Sequence, residues 1–174
     1  MLAKHVMIDV ETMGTNPNAP VVQIGAAFFT REGVQVQSLL SINFEEALKY
    51  GKVDGSTIKF WLQQPKEAQN SLFQNERSME EATDVFTKLL EAQNPDYFWA
   101  HATFDFPILQ SLFASIDKKF PIPFWKMRDL RTLEMLADLP IDKSQFKGVP
   151  HNALHDAVFQ AEHAIKCLNI LERG

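Results

Sequence analysis

The chain has 174 residues, a formal net charge of −5 and an apolar fraction of 45%. That length suits a single domain with its own core, placed over 1–174. No apolar run is long enough to span a membrane, no N-terminal stretch has a signal-peptide layout, and the lone Cys167 cannot form an internal disulfide, so a reducing, cytoplasmic setting is expected.

In chain order, His5–Glu11 is apolar and β-branched enough to be a first strand. Residues two apart on a strand share a face, so Asp9 and Glu11 would aim two carboxylates at one point. Like charges at that range resist joint ionisation unless a cation lies between them. Taken alone, an Asp-x-Glu at a strand end is more simply a solvated pair. Thr12–Pro20 holds Gly, Asn and Pro and reads as a turn-rich loop. Strands follow over Pro20–Thr30, where Gly25 would allow close backbone approach, and over Val34–Phe44, with a turn at Arg31–Gly33 between them.

Glu45–Tyr50 reads as a short helix. Ser56 would cap a second helix carrying Ile58, Trp61 and Leu62. Pro65–Phe73 would be a third, with Pro in its first turn. Ser78-Met79-Glu80-Glu81 has capping-box spacing and opens a helix to about Gln93. A fourth strand covers 96–100 and leads through His101 to Asp105. There a helical pattern begins with Phe106, Ile108, Leu109, Leu112 and Phe113. Asp105 is either an ordinary helix-start residue or a carboxylate at the kind of strand-to-helix junction where α/β sites form. Phe124–Met127 reads as a short fifth strand, Asp129 as the cap of a helix over 130–138, and 139–150 as a mobile loop. The last helix runs over about 152–172. It carries Asp156 beside Ala153, Ala157 and Ala161, where an unpaired carboxylate would be costly to bury.

Asp9-Val10-Glu11, Phe104-Asp105 and His151-x4-Asp156, in this order, together resemble the three motifs of the DEDDh 3′–5′ exonucleases. That group includes ribonuclease T, oligoribonuclease and proofreading subunits, and the resemblance spans about residues 5–170. Met13-Gly14, Ser56–Leu62 and Arg128–Leu133 look closest to a compact phage and prophage-type branch. The resemblance implies a ribonuclease H-like α/β fold: a central mixed five-stranded sheet, its first three strands antiparallel, flanked by helices. It also implies a metal-dependent enzyme that hydrolyses phosphodiester bonds at single-stranded 3′ ends and releases nucleoside 5′-monophosphates. Asp9, Glu11, Asp105 and Asp156 would hold two divalent ions, Mg²⁺ or Mn²⁺, and His151 would be the general base. A homodimer would be in keeping with relatives. Many members carry Asn four residues before the second-motif Asp; this chain has His101, which would either touch substrate or satisfy a loop carbonyl.

Other substrate contacts are expected from Met13, Trp61, Phe104, Arg128 and Arg131, with Phe60 a further aromatic platform. For each aromatic, core packing competes with that role. The basic residues between Asp105 and His151, Lys143 and Lys147 among them, would either line a phosphate track or be scattered solvated charges. His151 and His155 have the spacing of a zinc pair, but Asn152 stands where a zinc-protease helix needs Glu. Two rival readings remain: an endonucleolytic or structure-selective phosphodiesterase with the same metals, and a non-catalytic subunit with an exonuclease fold.

Overall fold

The computed structural model describes Lys4–Arg173, the side chain of Arg173 excepted. The strands are β1 (His5–Thr12), β2 (Val21–Thr30), β3 (Gly33–Ile42), β4 (Glu76–Arg77), β5 (Tyr97–Ala100) and β6 (Met127–Asp129). They form one sheet in the order β4-β3-β2-β1-β5-β6. β1, β2 and β3 pair antiparallel, whereas β5 runs parallel to β1 and β6 parallel to β5. The sheet is thus mixed, with β1 in its interior, and it carries one strand more than expected. The addition is β4, two residues that pair with Ser41 and Ile42; so short a segment has no periodicity to read.

The helices are α1 (Phe44–Tyr50), α2 (Gly55–Gln63), α3 (Lys66–Ser71), α4 (Met79–Gln93), α5 (Asp105–Ser115), α6 (Leu130–Ala137) and α7 (Ala153–Arg173). β1 is buried along its whole length and divides two cores. Val6, Ile8 and Val10 pack with Phe86 of α4 and with Ile108 and Leu112 of α5. Met7 packs on the opposite face with Leu130 and Leu133 of α6 and the alanines of α7. Alternation along the strand therefore puts Asp9 and Glu11 on the α7 side.

Several boundaries differ from expectation for identifiable reasons. Phe124–Lys126 is a 3₁₀ turn rather than strand, and pairing starts only at Met127. Pro123 precedes the turn, and Phe124 and Trp125 are left largely exposed. α2 starts at Gly55, before Ser56, with Asp54 at its N-cap position. The Asp54 carboxylate does not cap it; instead it accepts from the backbone N–H and hydroxyl of Thr15. Pro65 precedes α3 rather than lying in its first turn. The expected caps at Ser78 and Asp129 are present, accepting from the backbone N–H of Glu81 and Thr132.

α7 lies unusually close to the sheet. Ala153, Ala157, Ala161 and Ala164 are fully buried along its inner face, and Gly25 of β2 sits beneath its first turn. A Cβ on Gly25 would stand 2.0 Å from the Ala153 carbonyl oxygen and 2.2 Å from its carbon. Both are backbone atoms and cannot rotate away. Gln23, next along the same face, accepts the Ala153 N–H through Oε1 at 3.3 Å and donates through Nε2 to the Ser71 carbonyl at 2.8 Å. Asn152 caps the helix by accepting the N–H groups of Leu154 and His155.

Gly25→Ala should therefore push the start of α7 off the sheet. Overpacking of this kind costs about 3 kcal/mol. For a chain of this size that corresponds to a melting temperature lower by about 6–12 °C. A thermal melt within a degree or two of wild type would show that the approach is not tight.

Candidate active site

The parallel strands β1, β5 and β6 end at one edge of the sheet, and the chain leaving each contributes to a common cleft. β5 pairs with β1 only over His5–Met7, so the two strands part before Val10 and its N–H is free. Asp105 takes that N–H through Oδ1 at 3.2 Å and the His101 N–H through Oδ2 at 2.9 Å. Its carboxylate thus fastens the β5–α5 junction to the centre of β1. Asp9 accepts from Gln160 Nε2 at 2.7 Å. Asp156 lies one turn into α7, near the backbone N–H of His151.

These groups line a cleft of about 750 Å³ together with Glu11, His101, Phe104, Arg131, Lys143 and Gln160. Glu11, His151 and Asp156 each offer one ligand atom within 4.8 Å of the others, a group able to hold a metal ion. His151 has φ +58, left-handed backbone that costs most residues about 1–2 kcal/mol. Its half-buried ring meets Phe60 edge-on at 4.8 Å between centroids. The preceding loop is anchored by His155, whose Nδ1 accepts the Val149 N–H at 3.0 Å. Gly148, at φ +112, packs against the same ring. His155 therefore holds the loop and stands outside the group of Glu11, His151 and Asp156.

Crowding of acids dominates the electrostatics. Burial, then the charges of Asp105, Glu11 and Asp156, push the Asp9 carboxyl well above its ordinary value, with Gln160 opposing. Glu11 is raised likewise, by burial and then by Asp156 and Asp105. Burial lifts Asp105 to about 7 against its backbone donors, and Asp156 to about 6 against the His151 N–H and Lys143. His151 is lowered by its half-burial and by Lys143, and His101 by burial and Arg131. Four carboxylates that resist joint ionisation, with oxygen donors and an imidazole converging, fit a hard divalent cation. The positive charge would favour ionisation where burial opposes it.

The structure brings the three motif segments together. Among the other expected contacts, His101, Phe104 and Arg131 line the cleft. Met13 and Trp61 are buried, at 2% and 6% exposure, and Trp61 lines an adjoining cleft with Phe60, Phe104 and His151. The Trp61 indole donates to the Thr12 carbonyl at 3.0 Å, so it braces the end of β1. Arg128 is displaced. Its guanidinium lies over the Tyr97 ring and donates to the Trp125 and Met127 carbonyls, away from the cleft lining. Gln160 and Glu134 line the cleft without having been anticipated. Gln160 follows Asp156 by four residues, which puts both on one helix face, so its spacing was a usable signal.

Residues 4–168 match the 3′-5′ exoribonuclease Rv2179c-like domain. The chain belongs to this family. That family is described as one of 3′-5′ exoribonucleases. A solved structure described as a full-length 3′-exonuclease is similar in fold, with a TM-score of 0.66 at 9% identity. The match covers 97% of this chain but spans 62% of the length of that protein. No curated protein matches the chain. Among the described residues, no helix is long and apolar enough to cross a membrane.

The raised carboxyl values fix the sign of a pH effect. A metal-free native state binds protons more tightly than the unfolded chain. Its carboxyl contribution is fully present below the unfolded value near 4 and is lost as pH rises through about 6 and about 7. His5, held down at about 4 chiefly by burial, acts oppositely, losing stability as pH falls from 6.5 toward that value. Glu11→Gln isolates the carboxylates, because no described group hydrogen-bonds to Glu11 to lower its pKa. In EDTA at pH 8 the variant should melt above wild type, and the gap should close toward pH 4. Millimolar Mn²⁺ should raise the melting temperature of wild type more than that of the variant. A variant that melts at or below wild type in EDTA at pH 8 would contradict the repulsion.

Proposed function

We propose that the chain removes nucleotides one at a time from the free 3′ end of single-stranded RNA, releasing nucleoside 5′-monophosphates. In this reading Asp9, Glu11, Asp105 and Asp156 hold two divalent ions, Mg²⁺ or Mn²⁺, and His151 is the general base. The observation that carries it is the convergence of four mutually repelling carboxylates and one imidazole in a single cleft of a chain from this family. Such ions, when bound, would neutralise the phosphate and stabilise the charge that builds on the attacking and leaving oxygens.

The chain's own residues do the rest. His151, kept neutral by its lowered pKa, accepts the proton of the attacking water. The water oxygen bonds to phosphorus, and the bond to the 3′ oxygen of the preceding nucleotide breaks. The phosphate therefore departs on the 5′ side of the released nucleotide. Arg131 and Lys143 are the cations of the cleft and would hold the phosphate chain. Phe60 and Phe104 line an adjoining cleft of about 350 Å³ that also reaches Glu11 and His151, and would offer ring faces to the terminal base.

A 5′-labelled RNA should give a ladder shortening from the 3′ end with Mg²⁺ or Mn²⁺, none with EDTA, and none when the end carries a 3′-phosphate. A single internal cut would favour an endonuclease, and a matched DNA oligomer sets the sugar preference. His151→Ala should slow single-turnover cleavage by about 10²–10⁴-fold with metal affinity largely kept. Asp156→Ala should lose activity and metal affinity together. Near-wild-type cleavage by folded His151→Ala would remove it from the mechanism. Lys143→Ala should weaken binding and reduce the salt slope by about one; an unchanged slope would show that Lys143 does not contact phosphate.

A further inference from the structure

Gln160 is an uncharged side chain placed where an apolar one would pack without cost. It lies on α7 one turn beyond Asp156 and is 6% exposed. Its Nε2 donates to Asp9 Oδ1 at 2.7 Å. Its Oε1 is the one buried side-chain acceptor among the described residues with no hydrogen-bond partner. Burying an amide with its acceptor unmet is unfavourable, so the amide is not there for its own satisfaction. The contact that remains is the one to Asp9.

Among the described residues, that contact is the one side-chain hydrogen bond accepted by any of the four carboxylates. Asp105 receives two backbone N–H groups instead. An amide donor on one carboxylate oxygen fixes which oxygen stays free. It does so without adding a positive charge that would compete with a cation.

We propose that Gln160 is a positioning residue. It holds the Asp9 carboxylate in one orientation and leaves the second oxygen free to take a divalent cation. This rests on the metal-dependent reading above and deepens it. Gln160 acts from α7 on a carboxylate of β1, so the same helix that delivers Asp156 also presets Asp9.

The test compares wild type with Gln160→Met, which keeps the volume and removes the donor. Gln160→Asn, an amide too short to reach, provides a second variant if the first does not fold. The readouts are Mn²⁺ affinity by calorimetry, the melting temperature in EDTA, and the Mn²⁺ dependence of cleavage. Expected is a Mn²⁺ Kd about 10–100-fold weaker, the usual effect of losing a partner behind a ligand. The EDTA melting temperature should be near wild type. Cleavage should need correspondingly more Mn²⁺, with kcat recovered at saturation. A lower melting temperature with an unchanged Kd would mean that Gln160 only packs, and would overturn the proposal. Wild type that binds no Mn²⁺ would overturn the metal reading itself, a result distinct from wild-type binding unaffected by either variant.

Discussion

The site depends on one close approach. A helix can hand side chains to the middle of a sheet only if its own backbone lies almost on the strands. α7 does this over β2, with Gly25 beneath its first turn and a line of buried alanines behind it. A bulkier residue at any of these places would lift the helix, and Asp156 and Gln160 would leave the reach of β1. The small residues are therefore part of the chemistry, although none of them touches a reacting group. The helix needs a fixed start as well as a flat face. Gln23 supplies it from the sheet by accepting the Ala153 N–H, and Asn152 supplies it from the helix side.

Packing α7 this tightly creates the electrostatic problem. It puts Asp156 beside Asp9 and Glu11, where Asp105 has already been drawn in to satisfy the Val10 N–H. Backbone donors relieve Asp105 and Asp156 in part, yet both remain well above ordinary carboxyl values. Asp9 relies on one amide, and no described group hydrogen-bonds to Glu11 to offset its burial. The two cations of the cleft, Arg131 and Lys143, lie toward the 130–150 segment rather than on β1. In the proposed reading, that division would leave the acids to a divalent ion and the lysine and arginine to phosphate. It would also reconcile a chain of net charge −5 with a nucleic-acid substrate, because acids gathered in the cleft would be offset by a bound metal.

The motif side chains that meet in the cleft were legible in the sequence because each sits on or beside an element with a strong pattern. β1 is a short β-branched run, Asp105 opens an apolar helix, and Asp156 lies in an alanine face. The antiparallel order of β1, β2 and β3 came with the family resemblance and not from periodicity. Contacts that depend on where a side chain finds its partner were not legible. The Trp61 indole N–H, for example, is used on the Thr12 carbonyl, a partner that no spacing announces. Arg128 looks like a phosphate ligand but is held by Tyr97 and two carbonyls. The short strand β4 has too few residues for any pattern. Gln160 could have been found, since i, i+4 from an acid on a buried face is a readable spacing.

The two faces of β1 divide the work of stability and function. On the α4 and α5 side, Val6, Ile8 and Val10 enter an apolar core built around Phe86, Ile108 and Leu112. On the α7 side, the costs accumulate within a few residues. Acids are held above their ordinary pKa values, His151 adopts left-handed backbone, and the Gln160 carbonyl oxygen is unmet. A strand with both faces like the second would not fold without its ligand. Because alternation is strict along a strand, the same eight residues present the apolar pattern to one helical layer and the carboxylates to the other. The strand can then carry a strained site at its end while its anchoring contacts lie on the far side of the sheet, out of reach of whatever the site binds or releases.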